Sequence, residues 1–162
     1  MKRVRFLACV LISVALLGCK HGENHDMNKD QSTMGEKSLY DRLGGEPAIK
    51  AVVDEFVARG ASDPKVNFTR EGHPNHWDAT PDNVAKLKKH LVEFISKATG
   101  GPQHYHGRDM VTVHKGMEIT DAEFDALAAD LKGALDKFNV PQREQQELLA
   151  IVGSTRSQIV GK

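Results

Sequence analysis

The chain has two cysteines, Cys9 and Cys19, and Cys9 lies inside an apolar N-terminal run. If that run is removed Cys19 stands alone, which excludes an internal disulfide and a thiolate metal cluster. Sustained period-two alternation is missing, which argues against a sheet. Basic stretches interleaved with aromatics are missing too, so nucleic acid is not an expected partner. No Cys, Ser or Lys stands in a recognisable nucleophile setting. No single sign of charge dominates: Lys plus Arg and Asp plus Glu each number 22. Without Lys2, Arg3 and Arg5 the basic count falls to 19, and the remainder is mildly acidic.

Those three basic residues precede the apolar run Phe6 to Leu17, which is too short to span a bilayer comfortably. The run ends Leu16-Leu17-Gly18-Cys19. A basic start, an apolar stretch and a small residue before the cut read as an export signal. With Cys directly after Gly18, the segment resembles a bacterial lipoprotein signal cleaved before a lipidated Cys19. Residues 1–18 are then the signal, 19–37 a polar tether and 38–162 the folded domain. Lys20 to Glu36 carries almost nothing apolar. As a flexible coil it reaches roughly 20–25 Å. The resemblance implies an exported protein, lipid-anchored at the periplasmic face of the cell envelope. Lys20 after the cysteine resembles sorting to an outer membrane, where the cell has one.

The domain reads as all-α. Ile49, Val52, Val53, Phe56 and Val57 recur at spacings of three and four, behind Gly44-Gly45 and Pro47. Thr80-Pro81-Asp82 starts a second helix, with Val84, Leu87, Leu91, Phe94 and Ile95 on its stripe. Gly100-Gly101-Pro102 stops it. Thr120-Asp121-Ala122-Glu123 is a capping-box pattern before Phe124, Leu127, Leu131, Leu135 and Phe138. Pro141 opens a final helix with Leu148, Leu149, Val152 and Ile159 on its apolar side. Val66 to Ala79 has no usable period and is a long loop, anchored by Phe68 and Trp77. A core of this size is marginal alone, and a large apolar ligand would add buried area.

Within "GRDMVTVHKGMEIT", Met110, Val113 and His114 share one helical face. A neutral imidazole there serves a core, a nucleophile–base pair, a zinc site or a haem iron. Zinc needs three or four ligands, and His73, His76, His104 and His106 show no such pattern. Haem needs one imidazole in a wide apolar slot with a helix across it.

"LYDRLGGEPAIKAVVDEF" from Leu39, "GGPQHYHGRDM" from Gly100 and "VHKGMEIT" from Val113 together resemble the group I truncated haemoglobins. The resemblance runs from about Ser38 to Val160. It rests on two Gly-Gly corners and a Gly-Arg-x-Met-x-x-x-His spacing. It implies a two-over-two helical sandwich around haem b, with His114 as proximal iron ligand. Met110, Val113, Ile119, Phe124 and Leu127 then line the proximal and rear walls, and Leu87, Leu91, Phe94 and Ile95 the distal helix. Phe68 packs on the porphyrin, and Tyr105 reaches a propionate. His90 matches a position that pairs with a propionate or binds the iron as a distal axial ligand.

The chain departs from the family at its distal side. Members commonly carry Tyr after the Phe matching Phe56, and often Gln at the position of Leu91. Here Val57 and Leu91 offer no donor to bound oxygen. His90, and His73, His76 and Trp77 in the loop, are other sources of distal polarity. The expected role is a haem globin that binds oxygen or another diatomic gas, or cycles its iron with an unidentified electron donor. A haem enzyme, such as a nitric-oxide dioxygenase or weak peroxidase, and a haem-free partner-binding lipoprotein are the alternatives.

Overall fold

The computed structural model describes residues 36–162. The expected signal segment 1–18, Cys19 and the tether to residue 35 lie outside the described residues. Among the described residues every regular element is a helix: α1 Leu39–Arg42, α2 Gly45–Ser62, α3 Pro81–Ala98, α4 Met110–His114, α5 Asp121–Lys137, α6 Gln142–Gly153 and α7 Arg156–Ile159.

The long helices start where their capping chemistry requires. The Thr80 side chain accepts from the Asn83 backbone N–H, and Pro81 takes the first position of α3. Thr120 and Glu123 form the reciprocal capping box of α5. At α2 the cap is Gly44, held at φ +94, a conformation that suits glycine. The helix therefore begins at Gly45, two residues before the expected start at Pro47.

Helix α2 packs on α3 and on α5, and α5 packs on α6, so two helix pairs face one another. Val53, Ile95, Leu131, Ala134, Leu135 and Leu148 are buried where they meet. Arg42 ties α1 to α6 by donating to Glu144 at 2.6 Å and to Glu147. These partners hold the Arg42 guanidinium well above its ordinary pKa.

One short element lies outside the periodic pattern, and two expectations need correcting. Leu39–Arg42 form α1, because the Ser38 hydroxyl accepts from the Asp41 N–H. Phe138 is 43% exposed and caps α5 rather than continuing its buried stripe. The last helix is two helices. Ser154 and Thr155 donate their hydroxyls back to the Ile151 and Val152 carbonyls, at 2.7 Å each. Such back-bonding competes with the helical ladder and bends the chain. Helix α7 consequently packs on α4.

Leu135 is fully buried between the two helix pairs. We predict that Leu135→Ala lowers unfolding free energy by about 2–5 kcal/mol, read as a lower denaturation midpoint. An unchanged midpoint contradicts this packing.

Candidate functional site

Helix α4 is a single turn, and three β-branched residues in five do not favour a longer one. Its start is fixed by Asp109, whose carboxylate accepts from the Thr112 backbone N–H at 2.9 Å. These hydrogen bonds hold the Asp109 carboxyl below its ordinary pKa. His114 closes the turn, and its Nδ1 lies 2.8 Å from the Met110 carbonyl oxygen. A carbonyl only accepts, so Nδ1 carries the proton and Nε2 keeps its lone pair. Burial pushes the His114 pKa down, opposed in part by the bond to Met110. The product is a neutral imidazole with one free donor nitrogen, which is what a metal ligand requires.

His114 opens onto a cavity of about 490 Å³, a size that takes a cofactor-scale molecule. Met110, Val113, Ile119, Phe124 and Leu127 line one side of it. Leu87, His90, Leu91, Phe94 and Ile95 of α3 line another, and Phe68 reaches in from the loop. Val57 is also in the wall, so the apolar character expected at Val57 and Leu91 lies at the cavity itself.

Tyr105 is not in the lining. Its ring packs edge-on against His90 and Phe94, with centroids 6.1 and 5.9 Å apart. Its hydroxyl donates to the Arg108 carbonyl at 2.8 Å. The expected reach to a propionate is therefore not what this geometry shows. Lys86 and Arg108 bring cationic side chains to the cavity instead. Lys86 occupies a helical position one turn before His90, a signal the sequence held but which apolar periodicity does not reveal.

The loop after α2 folds against the segment that follows His114. Asn75 Nδ2 donates to the Lys115 carbonyl at 2.8 Å. A Cβ on Gly116 would sit 2.3 Å from that nitrogen, and Gly116 has φ +78, so both the turn and the docking call for glycine. Arg70, 4% exposed and at φ +56, donates to Glu123 at 2.6 Å. Phe68 and Trp77 meet edge-on, and both line the cavity. His73 and His76 do not line it: His73 contacts Arg70 at 3.2 Å, and His76 contacts Asp78 at 3.2 Å. The loop's contribution at the cavity is thus Asn67, Phe68, Arg70 and Trp77 rather than these histidines.

On α3, His90 lines the cavity while its Nδ1 lies 3.5 Å from the Glu93 carboxylate. His106 approaches the same carboxylate at 3.3 Å and donates its backbone N–H to it at 3.0 Å. Among the described residues, no three His, Cys, Asp or Glu side chains converge to hold a metal ion. Any iron here would need a carrier that supplies most of its ligands.

Residues 38–160 match the bacterial-like globin family. A group 1 truncated hemoglobin of Tetrahymena pyriformis is 31% identical over 136 residues, covering 84% of this chain and 100% of that protein. The group 1 truncated hemoglobin GlbN of Mycolicibacterium paratuberculosis is 34% identical over 122 residues, covering 75% and 83%. The crystal structure of the Tetrahymena pyriformis protein in its Fe(III) form superposes with a TM-score of 0.68 at 29% identity, covering 78% of this chain and 100% of that one. A 2/2 hemoglobin of a Synechococcus species, solved in the cyanomet state with covalently attached heme, gives 0.66 at 30% identity over 78% and 100%.

We predict that His114 titrates below the ordinary 6.5 in the ligand-free protein, as NMR would show. A depressed histidine pKa contributes stability that is complete above pH 6.5 and is lost as the pH falls through the lowered folded value. His114→Gln should remove that part of the acid sensitivity. A midpoint at or above 6.5 contradicts the burial. We also predict that Gly116→Ala costs about 1–2 kcal/mol from the backbone alone and undocks the loop, seen as faster amide exchange across residues 66–79.

Proposed function

This chain belongs to the bacterial-like globins, as a group 1 truncated haemoglobin, and from that premise we propose that it holds haem b on His114 and works at the cell envelope, binding oxygen or another diatomic gas or exchanging electrons with a donor protein. One observation carries the reading: the 2.8 Å bond to Met110 leaves the His114 Nε2 lone pair in an apolar cavity. Held by the His114 imidazole, haem would supply gas binding or one-electron exchange. The residues of this chain set the rest. His114 would hold the group, the apolar walls would exclude water, and Lys86 and Arg108 would pair with its carboxylates.

The distal wall argues against tight oxygen storage. Val57 and Leu91 cannot donate, so no hydrogen bond from them would hold bound oxygen. With Lys86 and Arg108 available for the carboxylates, His90 would be a second imidazole ligand to the iron. An external gas would then have to displace His90, which suits electron exchange or gated binding better than storage. The alternative reading is a haem enzyme. Of a nitric-oxide dioxygenase and a weak peroxidase, the pair of His90 and Glu93 favours the peroxidase, because peroxide cleavage benefits from a distal acid–base group. Steady turnover of peroxide with a reductant would move the assignment there.

The envelope location rests on the lipoprotein-like start and on Cys19 as the lipid-bearing residue. No helix among the described residues is long and apolar enough to cross a membrane. A single acyl chain binds membranes only marginally, and a lipoprotein cysteine carries several.

We predict that His114→Ala binds haem weakly, with loss of the wild-type Soret band, and that added imidazole restores part of it. Haem retention at wild-type affinity contradicts the assignment. Haem should also raise the melting temperature, since it binds the folded state alone. For the anchor, Cys19→Ser should leave an uncleaved precursor or shift the protein to the soluble fraction, and unchanged processing and membrane recovery would remove the lipoprotein reading.

A further inference from the structure

Glu93 is a carboxylate set almost entirely inside the protein, 9% exposed, on the helix that carries the distal wall. Apart from the alternative peroxidase reading, nothing in the proposed haem site calls on it, and burying a carboxylate is costly unless hydrogen bonds compensate. Both oxygens face His106, Lys89 Nζ lies 3.9 Å from Oε1, and Oε2 also faces His90. The first, Oε1, lies 3.3 Å from His106 Nδ1. The second, Oε2, accepts the His106 backbone N–H at 3.0 Å and lies 3.5 Å from His90 Nδ1. The backbone bond to His106 fixes the carboxylate without depending on any rotamer of the histidine side chain.

The His90 side of this contact is unfinished. Its Nδ1 is buried and makes no hydrogen bond. At 3.5 Å it is a few tenths of an ångström beyond hydrogen-bond range of Glu93. The ring is also confined by the edge-on contact with Tyr105, whose own hydroxyl is committed to the Arg108 carbonyl. A buried ring nitrogen facing a carboxylate is stable as N–H, because a lone pair there would face the anion. That choice puts the lone pair on Nε2, at the other edge of a ring that lines the cavity.

We propose that Glu93 is the positioning residue of the distal side: held by the His106 backbone, it keeps His90 in the Nδ1–H form and presents Nε2 to the haem iron. The proposal rests on the reading of His90 as a second axial ligand. It makes the two faces of the site alike, since each imidazole has Nδ1 facing an oxygen acceptor, the Met110 carbonyl at 2.8 Å for His114 and the Glu93 carboxylate at 3.5 Å for His90. The acceptors differ in charge. A carboxylate raises the basicity of its imidazole more than a carbonyl does, so Glu93 strengthens the distal bond and favours the six-coordinate form.

The test compares ferrous and ferric spectra and carbon monoxide binding for holoprotein of wild type, Glu93→Gln, His90→Ala and the double variant. Glutamine keeps the shape and removes the charge. The expected result is a six-coordinate wild type whose His90–iron equilibrium weakens by about tenfold in Glu93→Gln, with no effect of the substitution once His90 is alanine. If His90→Ala changes coordination but Glu93→Gln does not, the proposal is overturned and the axial reading of His90 stands. The same Glu93→Gln effect in both backgrounds also overturns it, because Glu93 then acts through packing. A five-coordinate wild type removes both. Should Glu93→Gln fail to fold, ¹⁵N shifts of wild-type His90 in the diamagnetic carbon monoxide form decide: a proton on Nδ1 supports the proposal and a proton on Nε2 overturns it.

Discussion

The hydrogen bond from His114 Nδ1 to the Met110 carbonyl is the constraint on which the site depends. It sets the tautomer, and the tautomer decides whether Nε2 is a ligand or a donor. It exists because Met110 and His114 stand four residues apart in a single helical turn. That turn would fray alone, since an isolated turn repays little of its nucleation cost. Asp109 caps its start, and α7 packs along it. The break at Ser154 and Thr155 is what directs α7 there, so a local competition for hydrogen bonds in the last helix bears on the imidazole forty residues earlier.

The loop between α2 and α3 is the second support of the same turn. Asn75 takes the Lys115 carbonyl, one of those left unsatisfied at the end of α4. Arg70 reaches the capping-box glutamate of α5 and also the Glu118 carbonyl, at 3.4 Å. Its positive φ is costly for a non-glycine residue and is held by that buried ion pair. One face of the cavity is thereby tied to the other through the chain that also supplies Phe68 and Trp77.

Much of this was legible in the sequence because it is local. The 3.6-residue period, Thr80-Pro81 and the Thr120 capping box place α3 and α5 where they lie, and the same pattern marks α2 to within two residues. The four-residue spacing of Met110 and His114 by itself implies a carbonyl acceptor for Nδ1. What was illegible is what sequence separation hides. Arg70 meets Glu123 across 53 residues, and nothing in a loop without a period announces it. Arg42 meets Glu144 across 102. Tyr105 resembled a carboxylate partner by type, but its hydroxyl is taken three residues away by Arg108. Glu93 was discoverable, three residues from His90 on one helix, yet a charge among charged residues reads as a solvated face until its burial is known.

The central claim is that one neutral imidazole in an apolar cavity takes the iron of a single haem. Titration of the haem-free protein with haem, followed at the Soret band, tests it most directly. The account predicts a sharp break at one haem per chain and a spectrum characteristic of imidazole-ligated iron. A gradual, unsaturated rise with the spectrum of free haem would contradict it.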